Sequence, residues 1–311
     1  MSIPRILIIG SGAVGAIYGR YLANAACRVT YLVRDRNSPN AQMPRTLHHY
    51  PLVGTPRSHE QYLRVVTLAD SSHDQVWLCL PSTALDDPWL AKQLARIGNN
   101  TPVILWTPDM RDRERMQKMH SGPVTQALIG LVSFQTPLPG EQTPSAGIGY
   151  LAPPRSAVIQ STPDGEDAAR WLREGGLSVT LMRDLPTHTA RMTALLQPAI
   201  AALEICDWSL AGLRRSHWLG IATDASDEAR AIGEHYLGAV AGRRLPGKAL
   251  GLRALLWLAP PLSPFPLETY LHYHFAKVGQ QTREMFDGWI AQGKQASLPT
   301  AALEQLRHAL P

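Results

Sequence analysis

Apolar and polar positions follow two different periods along this chain. The run Arg5-Ile6-Leu7-Ile8-Ile9 is apolar after its first residue, the pattern of a strand buried on both faces. It passes into Gly10-Ser11-Gly12-Ala13-Val14-Gly15 and then into a helical pattern carrying Ile17, Tyr18, Leu22 and Ala26. A second strand, Arg28-Val29-Thr30-Tyr31-Leu32-Val33, follows at the distance of a βαβ unit. Residues 37–60 carry Pro and His and predict a loop with a short strand near 47–53, in which His48, His49 and His59 are solvated. Further strands are predicted at 75–80 and 103–106, with helices at 87–96 and 111–119. This alternation predicts a doubly wound parallel sheet.

From 122 to 184 the pattern shortens to strands at 126–134, 156–161 and 179–182 with a helix at 166–174, which complete the sheet with an antiparallel portion. Beyond Leu185 the strand signal ends. The clearest helix there spans 267–290, where Leu267, Tyr270, Leu271, His274, Val278, Met285, Phe286 and Trp289 mark one drifting apolar face. The Pro-rich segment 259–266 predicts a rigid connection between helices. The fold class is therefore α/β, with a sheet domain at 1–184 and an all-helical domain at 185–311.

The glycine run has a chemistry of its own. A first glycine lets the chain turn off the strand, a second lets a pyrophosphate approach the backbone, and a third lets the helix pack close to the sheet. The free N–H groups at the helix start then face the phosphates. The candidate cofactor-binding residues are Gly10, Ser11, Gly12, Ala13, Val14 and Gly15. At the tip of the second strand an NAD site carries an acid for the ribose hydroxyl, whereas a 2′-phosphate needs cations. Arg34 stands at that tip with Arg36 nearby, which favours NADP; Asp35 between them suits a ribose hydroxyl.

Composition narrows the partners. Of 311 residues 45% are apolar, and the net charge is +5. The basic residues are scattered with no interleaved aromatic stripe, which speaks against nucleic acid. No apolar run reaches membrane-spanning length. Cys27, Cys79 and Cys206 lie far apart in apolar contexts, which fits a reducing, cytoplasmic compartment. The N-terminal apolar run is a short strand ending in glycines rather than a signal peptide. Trp208, Trp218, Trp257 and Trp289 fit a core, a homodimer interface through the helical domain, or a wide apolar pocket.

The chain resembles the ketopantoate reductase (2-dehydropantoate 2-reductase) family. The resemblance rests on Gly10-Ser11-Gly12-Ala13-Val14-Gly15-Ala16-Ile17-Tyr18-Gly19, on Tyr31-Leu32-Val33-Arg34, on the strand near Leu80, on Pro139-Gly140 and on Leu298-Pro299. It implies a Rossmann-type domain followed by a helical one, NADPH in the cleft between them, and hydride delivery to a small anionic carbonyl substrate, a 2-oxo acid. It also places Leu80 and Pro81 at the cofactor, with Pro81 where the family carries a lysine.

The same resemblance puts the family's proton-donating lysine at Arg191. An arginine holds a carboxylate but is a poor proton donor, because its pKa lies above about 12. The family's helix asparagines fall on Leu195 and Ala199, its Asn-Gly near Pro108-Asp109, and its substrate-binding glutamate on Thr282, with Glu284 two residues away. His188, three residues before Arg191, is the candidate general acid. His272, His274, Tyr270, Glu204 and Asp207 are weaker candidates; His274 is set near the substrate, although the pattern of its amphipathic helix reads it as core-facing. Two readings stay open: a reductase acting on a different carbonyl or imine, and an NADPH-binding sensor or assembly subunit without hydride chemistry.

Overall fold

A computed structural model of the chain describes residues 3–35, 44–62, 64–142, 144–242 and 248–311, which fall into two units, Met1–Leu185 and Pro186–Pro311. In chain order the first unit contains β1 (Arg5–Ile9), α1 (Ala13–Asn24), β2 (Arg28–Leu32), β3 (Arg45–His49), β4 (Arg57–Gln61), β5 (Arg64–Val66) and β6 (Gln75–Leu78). There follow α2 (Pro88–Ile97), β7 (Val103–Leu105), α3 (Asp112–Met119), β8 (Val124–Ile129), β9 (Val132–Thr136), β10 (Gly147–Leu151), β11 (Ala157–Gln160), α4 (Pro163–Glu174) and β12 (Val179–Met182). Eight strands form one sheet in the order β12-β11-β8-β7-β6-β1-β2-β5.

β1 pairs in parallel with β2 on one side and β6 on the other, so it is an interior strand of the sheet. Strand geometry sends successive side chains to opposite faces. Ile6 and Ile8 accordingly join Tyr18, Trp77, Trp106 and Leu172 on one face, and Leu7 and Ile9 join Leu32, Leu78, Leu94 and Met116 on the other. Both faces are dry, which is why β1 shows no alternation. The antiparallel portion expected beyond residue 122 is the pairing of β11 with β8, after which β12 runs parallel to β11. α4 starts ahead of the predicted 166, because Thr162 accepts from the Gly165 N–H at 3.1 Å and Pro163 takes the first helical position.

The Tyr18-Gly19 pair is structural. The buried Tyr18 ring lies 4.1 Å from Trp106, between centroids, and its hydroxyl donates to the Ser156 carbonyl at 3.1 Å. A Cβ on Gly19 would fall 1.7 Å from the Tyr31 hydroxyl, so only glycine lets α1 lie this close to β2.

Within residues 44–60 the short strand expected near 47–53 lies at Arg45–His49, and a second strand stands where a loop was expected. β3 and β4 pair antiparallel, and with β10 and β9 they make a second sheet in the order β4-β3-β10-β9. The single strand expected at 126–134 is two strands, β8 and β9, one in each sheet. His48 is buried rather than solvated, bonded through Nδ1 to Ser58 Oγ at 2.8 Å and through Nε2 to the Ser145 carbonyl at 3.0 Å. The polar pattern of β4 hid it from a reading based on apolar periodicity.

The second unit is helical: α5 (Leu185–Ile205, which begins on the last residue of the first unit), α6 (Leu210–Arg215), α7 (Trp218–Tyr236), α8 (Lys248–Leu262), α9 (Leu267–Lys277), α10 (Gly279–Gln295) and α11 (Ala301–Ala309). The long helix expected at 267–290 is two helices, broken at Val278 where Gly279 begins α10. Pro260 and Pro261 lie in the last turn of α8, inside the helix rather than in a connection. α8 presents Leu250, Leu255, Trp257, Leu258 and Leu262 as exposed apolar side chains, whereas Trp289 is buried. Among the described residues no helix is long and apolar enough to cross a membrane, and no three His, Cys, Asp or Glu side chains converge as a metal site.

Candidate functional site

The glycine loop is built by close approach of backbone to backbone. Gly10 turns off the end of β1 at φ +105°, and a Cβ there would lie 2.3 Å from the Cys79 carbonyl oxygen beyond β6. A Cβ on Gly15 would lie 2.1 Å from the Gly10 carbonyl oxygen, so α1 is seated directly on the turn. Gly12 differs from both. It caps the start of α1, and a Cβ on it would meet nothing within 4 Å. No side chain caps that helix and its first turn holds no acid, so the N–H groups that open α1 are left for another acceptor.

A cation comes to the loop from an unexpected direction. Arg45, at the start of β3 in the second sheet, donates through Nη1 to the Ser11 carbonyl, and its buried Nη2 has no partner among the described residues. Burial lowers its pKa. Sequence reasoning missed this residue because the strand expected near 47–53 began beyond it, and no local spacing ties it to the glycine loop. Leu80 packs beside the loop, its Cδ2 3.0 Å from where a Gly10 Cβ would stand, and Pro81 begins a short 3-10 turn, Ser82–Asp86.

Arg34 follows β2 and is more than half exposed. Its guanidinium lies over the Trp89 ring, 5.0 Å from the centroid, and Nη2 donates to the Asp87 carboxylate. Asp87 is also the N-cap of α2, accepting from the Trp89 N–H at 2.8 Å. That bond, and then Arg34, hold its carboxyl below the usual carboxylate range. Arg36 lies outside the described residues.

Beyond the ends of β6 and β7 stands an internal charge cluster. Asp109, near the position of the family's Asn-Gly, is buried and paired with Arg111 at 2.6 Å. Asp112 is wholly buried at the start of α3, accepts from the Ser82 hydroxyl, and pairs with Arg115 at 3.0 Å. Burial, and next the charge of Asp109, push its carboxyl up to about 6.

In the helical unit, Arg191 and His188 both lie on α5. Arg191 donates from Nε to Glu234 at 2.7 Å and from Nη2 to the Val240 carbonyl at 3.0 Å. Glu234, on α7, is nearly inaccessible and also accepts from Arg230 at 3.0 Å and from the Gly242 N–H at 2.9 Å. His188 is half-buried with no hydrogen-bond partner among the described residues, and Met192, Leu195 and Leu196 are exposed apolar side chains of the same helix. Thr282 is buried on α10, its hydroxyl donating to Gln197 Oε1 on α5 at 3.0 Å. His274 stands on α9 beside Tyr270, with 5.4 Å between ring centroids. Of the remaining candidates, Glu204 pairs with Arg283 at 2.7 Å, and His272 stacks on Trp208.

Residues 6–143 match the family model for ketopantoate reductase PanE/ApbA. The PanE/ApbA match ends within the first unit, whereas the similarity of fold extends over the whole chain. The PanE/ApbA family ketopantoate reductase of Ralstonia eutropha JMP134 superposes with a TM-score of 0.76 at 16% identity, covering 98% of this chain and 97% of that one. The 2-dehydropantoate 2-reductase of Geobacter metallireducens GS-15 does so at 0.71 and 13% identity, covering 98% of each chain. A D-mandelate dehydrogenase in complex with NADH gives 0.66 at 14% identity, covering 98% of this chain and 97% of the other. No curated protein sequence matches. The Rossmann-type α/β fold with a helical C-terminal region is thus the fold of the PanE/ApbA reductases.

Proposed function

We propose that the chain is an NADPH-dependent reductase of a 2-oxo acid, related in chemistry to 2-dehydropantoate reduction but with a different substrate. The observation that carries this reading is Gly12: its missing side chain faces open space in front of an uncapped helix start, where a pyrophosphate fits and a methyl group would intrude. Gly10, Ser11, Gly12, Ala13, Val14 and Gly15 form the phosphate cradle, Arg34 takes the 2′-phosphate, and Leu80 and Pro81 border the cradle. The orphaned Nη2 of Arg45 adds a donor beside it. When bound, the nucleotide supplies a hydride. The chain must then hold the substrate carboxylate and deliver a proton to the carbonyl oxygen. Arg191 suits the first task and His188 the second. His274 is the polar group assigned to the substrate on α9, and Thr282 acts by fixing Gln197 on α5.

A second reading, nucleotide binding without hydride transfer, draws on the engagement of Arg191 by Glu234 and Val240. Calorimetric titration with NADPH and NADH, followed by turnover with ketopantoate, aliphatic and aryl 2-oxo acids, separates the two. Turnover of any of these acids supports the reductase. Tight nucleotide binding with none turned over leaves the second reading, and no nucleotide binding removes both.

Two further assignments belong to this proposal. Three free, scattered cysteines favour the cytoplasm. The exposed apolar side chains of α8 favour a homodimer through the helical domain, for which a monomer mass in sedimentation velocity is the opposing result.

A further inference from the structure

The strand tip that chooses the nucleotide carries two opposite charges. A 2′-phosphate needs cationic donors, and Arg34 is the cation at the end of β2. Its recorded hydrogen-bond partner is the Asp87 carboxylate, contributed by the start of α2 on the far side of β1 from β2. The pair is neutral as a whole, and the stacking of Arg34 on Trp89 keeps the guanidinium beside Asp87. A phosphate drawn to Arg34 therefore arrives next to a fixed negative charge. A ribose hydroxyl meets the opposite situation, since it is a donor and Asp87 offers it a charged acceptor.

We infer that Asp87 is a nucleotide-discriminating residue: it supplies, from α2, the carboxylate that an NAD site carries at the end of β2, and so narrows the preference for NADPH that Arg34 creates. This rests on the nucleotide-binding reading above. The site accordingly accepts NADH as well, with an affinity within about tenfold of that for NADPH, the size expected when one unit charge in water is set against another at a few ångströms.

The test is a calorimetric titration of the full-length chain and of its variants with NADPH and with NADH. Asn and Ser both cap helices well, so Asp87→Asn and Asp87→Ser keep the bond to Trp89 N–H while removing the charge. Both variants should widen the ratio of NADH to NADPH dissociation constants by roughly five- to tenfold. Arg34→Ala should collapse the ratio toward one. A purely structural role for Asp87 would weaken both nucleotides equally and leave the ratio where it was. An unmoved ratio, or one that shifts toward NADH in either Asp87 variant, overturns the assignment while leaving the nucleotide site standing. Failure of the unaltered protein to bind either nucleotide overturns both together.

Discussion

Arg191 and Glu234 form an ion pair in which the acid is almost wholly buried, 3% exposed, and the base is 43% exposed. Removing the arginine leaves a buried carboxylate held, among the described residues, by Arg230 and the Gly242 N–H. Because Arg191 is partly solvated, the loss is moderate: Arg191→Ala should lower stability by about 1–2 kcal/mol in urea titration. Burial raises the Glu234 carboxyl, but the Gly242 bond and the two arginines outweigh it and hold the group below its ordinary range. Its contribution is therefore present at neutral pH and lost as pH falls through and below about 4.5. Equal stability of variant and parent at pH 7 would show that the pair is idle.

Gly12 and Gly15 make opposite predictions although they belong to one loop. Gly12→Ala should fold with an unchanged melting temperature, since its methyl meets nothing in the protein, yet lose nucleotide affinity by at least tenfold. Gly15→Ala forces its methyl onto the Gly10 carbonyl and should destabilise the fold itself. Thermal melting paired with calorimetry reads both. Full nucleotide affinity in the Gly12 variant would move the phosphates elsewhere.

Asp112 should give the protein an unusual slope of stability against pH. Its folded value of about 6 lies above that of the unfolded chain, so the folded protein holds the extra proton between about pH 4 and 6. Stability then falls as pH rises through that window, by about 2–3 kcal/mol from this group. Asp112→Asn should remove that component, as urea midpoints measured from pH 4 to 7 will show. The same slope in parent and variant would assign it to another group.

Turnover of ketopantoate should be weak or absent. A lost general acid typically costs on the order of 10²–10⁴-fold, and Arg191 cannot replace one. Arg191→Lys should raise any trace activity incompletely, because Leu195, Ala199 and Thr282 still stand where the resemblance implies polar substrate contacts. Steady-state kinetics with NADPH decide it; an ordinary rate in the parent, roughly ten per second, would contradict the placement of Arg191 and Thr282.

The first unit was legible where burial dictates sequence. β1 is apolar from Ile6 to Ile9 because both its faces are covered, and Gly10 and Gly15 are fixed by contacts that no other residue survives. Of the second sheet only the short strand near 47–53 and the start of β9 were legible, and not their pairing. His48 and Gln61 bury polar atoms by bonding them internally, to Ser58 and Ser145 and to the Ala16 carbonyl, and apolar periodicity cannot register a core of that kind. Arg45 and Asp87 escaped for a related reason: each reaches the glycine loop or the tip of β2 from another element, a long-range placement that no local spacing encodes. The break at Val278 was missed because the apolar stripes of α9 and α10 run on in register across it.

The contact between Gly15 and the Gly10 carbonyl has a consequence for how such a site changes over time. A turn wedged this tightly has few conformations to surrender when an anion arrives, so its ordering entropy is settled during folding rather than at binding. On the proposed nucleotide-binding reading, affinity for the shared diphosphate is then inherited with the fold. What remains adjustable is the rim, where exchange of a single side chain can redirect the protein from one dinucleotide pool to the other without disturbing the socket beneath.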